Sequence, residues 1–146
     1  MTKAKEESRT SENTASQLFY KYETVGPMNG NNTSAQSRSI NYSVDISRYK
    51  AVSCSISDAS HQGSISITAS VALGDGRTRT LGTTSAGSYS TWDRTDNSYG
   101  VDAILGPAEA SMAKTLILNG SASITSHHNA GAYFILTVTG YKDFWE

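Results

Sequence analysis

The chain has 146 residues with 12 Lys and Arg against 13 Asp and Glu, a formal net charge of -1. That near balance excludes a whole-chain field that would draw in nucleic acid or an anionic membrane. Charged residues make up 17%, below the roughly 25% of ordinary soluble domains. Ser and Thr fill the difference, so the expected surface is polar but weakly charged. The length suits one domain with a tail.

The single cysteine, Cys54, rules out an intrachain disulfide. It alternates with Val52 and Ile56, which reads as a small buried hydrophobe rather than a catalytic thiol. No run approaches the roughly 18 apolar residues of a membrane-spanning helix. Met1 to Glu7 lacks an apolar core segment, so a secretory signal is not expected and synthesis in a cytoplasm is. The glycosylation sequons beginning at Asn31, Asn32, Asn41 and Asn119 are then chance matches in a Ser/Thr-rich chain.

Residues 1–38 read as an extended polar N-terminal arm. Apart from Leu18-Phe19-Tyr20-Lys21-Tyr22 they have almost nothing to bury, so ordering them costs more entropy than burial returns. The aromatic patch is the exception. It can add a strand to a sheet edge, on this molecule or on a neighbour.

From Ser39 the period becomes two, and residues 39–146 read as a β-sandwich domain. Ile40, Tyr42, Val44 and Ile46 alternate with polar residues, as in a half-buried strand. Val52, Cys54 and Ile56 repeat the pattern, as do Ile65, Ile67, Ala69, Val71 and Leu73. Gly74-Asp75-Gly76 supplies a tight turn, with Arg77 to Leu81 returning. Gly106 to Ala113 predicts one or two helical turns, with Pro107 near the first helical position. Asn119-Gly120 predicts a hairpin between Thr115–Leu118 and Ser121–Ile124. Ala132 to Tyr141 is apolar on both faces, with Phe134, Leu136 and Val138 in one row and Tyr133, Ile135 and Tyr141 in the other. Such a strand is central or lies against a neighbour. Seven to nine short strands joined by Gly, Ser, Asn and Asp turns predict an all-β antiparallel sandwich, jelly-roll or immunoglobulin-like.

Candidate chemistry is sparse. His127-His128 lack the spacing of a zinc site and read as solvated loop residues. Trp92-Asp93-Arg94-Thr95-Asp96-Asn97 predicts a polar turn, with Asp93 and Asp96 as conceivable calcium ligands. Asp45, Asp58, Asp75 and Asp102 sit in no recognisable catalytic motif, and neither a nucleophile elbow nor a phosphate loop is present. The expectation is a protein that is not an enzyme and has no metal or other cofactor. Tyr89, Trp92 and Tyr99 flank the Asp-rich turn and could stack on sugar rings. Tyr141 to Glu146 ends on Phe144 and Trp145, which fold back or dock on a partner.

The stretch Val44-Asp45-Ile46-Ser47-Arg48-Tyr49-Lys50-Ala51-Val52 resembles the opening strand of jelly-roll and related sandwich domains. Val71-Ala72-Leu73-Gly74-Asp75-Gly76-Arg77-Thr78 resembles their Asp-Gly hairpin. These domains occur in structural proteins of tailed bacteriophages and prophages and in carbohydrate-binding modules. The resemblance implies a virion accessory protein: a head decoration, fibre or tail appendage.

The leading expectation is therefore a virion structural protein. Its partners would be copies of itself and a larger assembly such as a capsid or tail, not nucleic acid or membrane. Leu18, Phe19, Tyr20, Tyr22, Phe144 and Trp145 would make the contacts. The alternative is a carbohydrate-binding module that recognises a cell-surface glycan through Tyr89, Trp92 and Tyr99.

Overall fold

A computed structural model describes residues 15–26, 34–88, 92–126 and 129–144. Alternating apolar and polar residues produce eight strands: β1 (Ala15–Val25), β2 (Gln36–Asp45), β3 (Tyr49–His61), β4 (Gly63–Leu73), β5 (Thr78–Ser88), β6 (Asp93–Gly100), β7 (Lys114–Ile124) and β8 (Gly131–Phe144). A 3-10 turn at Asp102–Ile104 and a single helical turn at Pro107–Ala110 link β6 to β7. The helical turn is where the proline signal placed it.

The strands form two four-stranded sheets. Sheet A has the order β1-β8-β3-β6 and sheet B the order β2-β7-β4-β5. All pairs are antiparallel. The first strand pairs with the last, the second with the seventh, the third with the sixth and the fourth with the fifth. One long hairpin wound over itself generates this order, so the sandwich is a jelly roll. The pairing decides against the immunoglobulin-like alternative.

The core lies between the sheets. Ile56, Phe134, Leu136 and Val138 of sheet A face Ile65, Ile67, Leu116 and Leu118 of sheet B, each at most 1% exposed. Burying each such side chain stabilises the fold by roughly 1.5–3 kcal/mol. β8 is central in sheet A, as its two apolar rows required. Cys54 is one of the fully buried residues, and burial pushes its thiol pKa up to about 12, which suits an inert core residue.

Several expectations change. The boundary at residue 38 falls inside β2, and Ala15–Val25 forms ten pairings with β8 from Ala15↔Tyr141 to Val25↔Ala132. The segment read as an arm thus supplies an edge strand to this molecule's own sheet from Ala15 onward. Residues 1–14 lie outside the described residues.

Asn119-Gly120 does not turn. Both residues lie inside the continuous strand β7, Asn119 between Asn41 and Thr68 and Gly120 between Ile40 and Ile67. A Cβ at position 120 would collide with the Ser66 carbonyl oxygen, so glycine serves close approach of strands here, not a positive φ. Likewise Asp93–Asn97 is not a turn but the start of β6, paired with Ser60 to Ile56 of β3. Tertiary pairing overrides weak strand propensity at such an edge. The stretch Val44–Val52 is not one strand. It spans the end of β2, a turn and the start of β3, crossing from one sheet to the other. Asp45 Oδ1 makes that turn by accepting hydrogen bonds from Ser47 N (3.0 Å) and Oγ (2.7 Å). The Gly74-Asp75-Gly76 hairpin forms as expected, with Gly76 at φ +95° and Asp75 bound to Arg77.

Candidate functional site

Alternation along β1 divides its aromatic patch between two environments. Phe19 turns into the sandwich, 5.4 Å from the Tyr42 ring, and Tyr42 in turn lies 6.3 Å from Phe134. Leu18, at a β-bulge, packs with Tyr49 over Gly140. Both residues are therefore occupied by the chain's own core. Tyr20 and Tyr22 point the other way and are each 52% exposed. On the same outer face of sheet A, Tyr141 of β8 is also exposed. Phe144 ends β8 opposite Tyr49; Trp145 and Tyr89 lie outside the described residues, as do His127 and His128.

Trp92 and Tyr99 are not brought together. Tyr99 faces inward from β6, its ring over Gly82 and its hydroxyl 3.1 Å from Thr84 Oγ1 on β5. Trp92, just before β6, is 51% exposed on the outside of sheet A. There it meets residues that lie far away in sequence. Its ring is 5.7 Å from His61 and 5.9 Å from Tyr133, and Tyr133 is 6.0 Å from Tyr22. The result is a row of four rings, His61-Trp92-Tyr133-Tyr22, carried by β3, the approach to β6, β8 and β1. Its end pairs lie near parallel, at 28° and 24° between planes.

This row was only partly visible in the sequence. Alternation places Tyr133 in one row of β8 with Ile135 and Tyr141, but the registers Ala59↔Tyr133 and Tyr22↔Ile135 are what bring the other rings beside it. Every large hydrophobic side chain that stands exposed among the described residues (Tyr20, Tyr22, Trp92, Tyr141) belongs to this face or borders it. Exposed aromatic faces gathered on one side mark an interaction surface.

The remaining polar groups near the row are few. Arg94 and Asp96 project outward from β6 and pair with each other at 3.4 Å. Asp93 projects inward, where its Oδ2 accepts a hydrogen bond from Gly87 N at 3.1 Å. Asp93 and Asp96 thus lie on opposite faces of one strand. Among the described residues, no three His, Cys, Asp or Glu side chains gather closely enough to hold a metal ion.

The other aspartates raised by the sequence do local work. Asp45 and Asp75 brace turns, and Asp102 Oδ2 accepts from Val52 N at 3.3 Å. Asp58 differs. It is fully buried between the sheets and neither carboxyl oxygen has a hydrogen-bond partner. Loss of water, reinforced by Asp96 and then Asp93, pushes its pKa up to about 7.

No family model matches this sequence, and no curated protein does. Among solved structures, the chain is similar to a family 28 carbohydrate-binding module specific for non-crystalline cellulose, at 11% identity over 80% of this chain and 71% of that chain, with a TM-score of 0.37. It is similar to a chain of infectious bursal disease virus strain Gx, at 17% identity over 87% of this chain and 33% of that chain, with a TM-score of 0.36. It is also similar to a family 11 carbohydrate-binding module from Clostridium thermocellum, at 8% identity over 87% of this chain and 95% of that chain, with a TM-score of 0.34. At these identities and scores the likenesses carry no argument about function. No helix among the described residues is long and apolar enough to cross a membrane.

Proposed function

We propose that this protein is a non-catalytic binding module and that the outer face of sheet A binds carbohydrate. The observation that carries the reading is the row Trp92-Tyr133-Tyr22, with successive ring centroids 5.9 and 6.0 Å apart and both end rings half exposed. Apolar C–H faces of sugars pack on aromatic rings, while hydroxyl-bearing side chains beside the rings can bond the sugar edges. Thr137 flanks the row in register with Tyr20. The aromatic residues proposed from sequence are thereby reassigned: Trp92 stays, Tyr99 leaves, and Tyr133 and Tyr22 join.

Retardation of the full-length chain in native gels containing soluble polysaccharides tests this reading. Trp92→Ala and Tyr133→Ala should each markedly reduce the retardation while circular dichroism keeps the β signature. Equal retardation of wild type and both variants would refute it.

A second reading, assembly within a virion, has its own support. β1 is an 11-residue edge strand whose outward aromatics Tyr20 and Tyr22 stand in solvent, a ready surface for a neighbouring chain. Its test is light scattering of the full chain beside a form lacking residues 1–14. Cutting to residue 38 would remove β1 itself and confound the result with unfolding. A monomer in both forms argues against self-assembly.

A further inference from the structure

We propose that the ligand of the aromatic row is an uncharged linear polysaccharide, contacted over at least three sugar units and lying across the strands of sheet A. This rests on the carbohydrate reading above and narrows it.

The length follows from the placement of the rings. Tyr22 stands on β1, Tyr133 on the neighbouring β8, and Trp92 at the start of β6, beyond β3. The row therefore crosses the sheet obliquely: Tyr133 is level with Ala59, Tyr22 lies two residues along β8 at Ile135, and Trp92 is displaced the other way, just before Asp93 opposite Ser60. A single sugar ring covers one aromatic face at a time and leaves the other two in water. Only a chain that repeats along the row can occupy all three positions together. Each added stack contributes part of the affinity without a second loss of translational and rotational freedom.

The absence of charge follows from the neighbours. Register places Thr24, Ile135, Ala59 and Ser57 beside the rings. The charged side chains that register places on this part of the face, among the described residues, are Arg94 and Asp96, and they are paired with each other. Lys21 and Arg38 are both bound to Glu23, at 3.0 and 3.2 Å, and Lys21 lies over the Tyr42 ring on the inner side of β1. A carboxylated or sulfated polymer would lay its anions on this face with no uncommitted cation among those residues to meet them. Hydroxyl groups need no such partner.

The experiment has two arms on the full-length chain. Native gels containing neutral soluble polysaccharides (β-glucan, xylan, mannan, α-glucan) are compared with gels containing polygalacturonate or chondroitin sulfate. Oligosaccharides of one to six units from the polymer that retards most strongly are then titrated by calorimetry. The expected result is retardation by at least one neutral polymer and by neither acidic one. Affinity should rise about tenfold or more from one unit to three. Tyr22→Ala should weaken the three-unit ligand by a larger factor than the single sugar. Equal affinity for one and three units, or retention by acidic polymers alone, would overturn the inference while leaving carbohydrate binding in place. Retention by none of the polymers would overturn both.

Discussion

The outer faces of the two sheets are built on the same template and carry different chemistry. Sheet A presents Tyr20, Tyr22, Tyr133, Ile135 and Tyr141, with Trp92 at its margin. Sheet B presents registered rows of hydroxyls and amides: Ser39-Ser121-Ser66-Ser85, then Asn41-Asn119-Thr68-Thr83. Thr68 and Thr83 of the second row bond each other at 2.8 Å, and on the same face Ser64 bonds Ser123 at 3.3 Å. Inward positions are constrained alike in both sheets because they share one core. Outward positions are free of that constraint, so a difference between the two outer faces reports a role for the surface rather than a need of the fold. Sheet B satisfies itself with water and cross-strand hydroxyl pairs. Sheet A leaves large rings half exposed, at a cost that a ligand would relieve.

The largest expected effect would break both faces together. Phe134→Ala empties a fully buried position at the centre of β8 and should cost about 3–5 kcal/mol in chemical denaturation. It should take carbohydrate binding with it by loss of structure. Next comes a change confined to one face. Trp92→Ala should weaken glycan binding about tenfold or more with a melting temperature near that of wild type, because half of the side chain is already in water. The matched substitutions Ser66→Ala and Ser121→Ala on sheet B should leave binding unchanged. If they weaken it as much as Trp92→Ala does, the contrast between the faces is meaningless.

Asp58 supplies a pH test of the seam beneath sheet A. Its folded pKa, raised to about 7, exceeds the roughly 3.9 of an unfolded aspartate. The folded state therefore holds the proton more tightly. The stability linked to it is fully present below about pH 4 and is lost as the pH rises to about 7. Asp58→Asn should flatten that decline in melting temperature between about pH 4 and 7. A decline as steep in the variant would show that other groups cause it. The smallest effect belongs to sheet B: Thr68→Val should remove one exposed hydroxyl pair at a cost of about 0.2–1 kcal/mol.

Period-two alternation from Ile40 to Ile46, Val52 to Ile56 and Ile65 to Leu73 already requires half-buried strands, and the double row of Ala132 to Tyr141 already requires a central one. The Gly74-Asp75-Gly76 turn and the buried state of Cys54 were legible for the same reason: each depends on residues adjacent in the chain. Asn119-Gly120 misled because a dipeptide that permits a turn does not require one, and here the Ser66 carbonyl needs the missing side chain. Trp92 to Asn97 misled because its polar composition says nothing about the strand waiting beside it.

Sequence by itself thus determined an antiparallel two-layer β protein, the inward residues of most strands and the weak charge of its surface, because side-chain alternation and burial are local properties of the chain. The jelly-roll winding, the capture of Leu18 and Phe19 by the protein's own core, and the assembly of His61, Trp92, Tyr133 and Tyr22 into one row were decided only by the tertiary structure. Those features depend on which strands pair and in what register, and register is set by contacts between residues as far apart as Tyr22 and Tyr133.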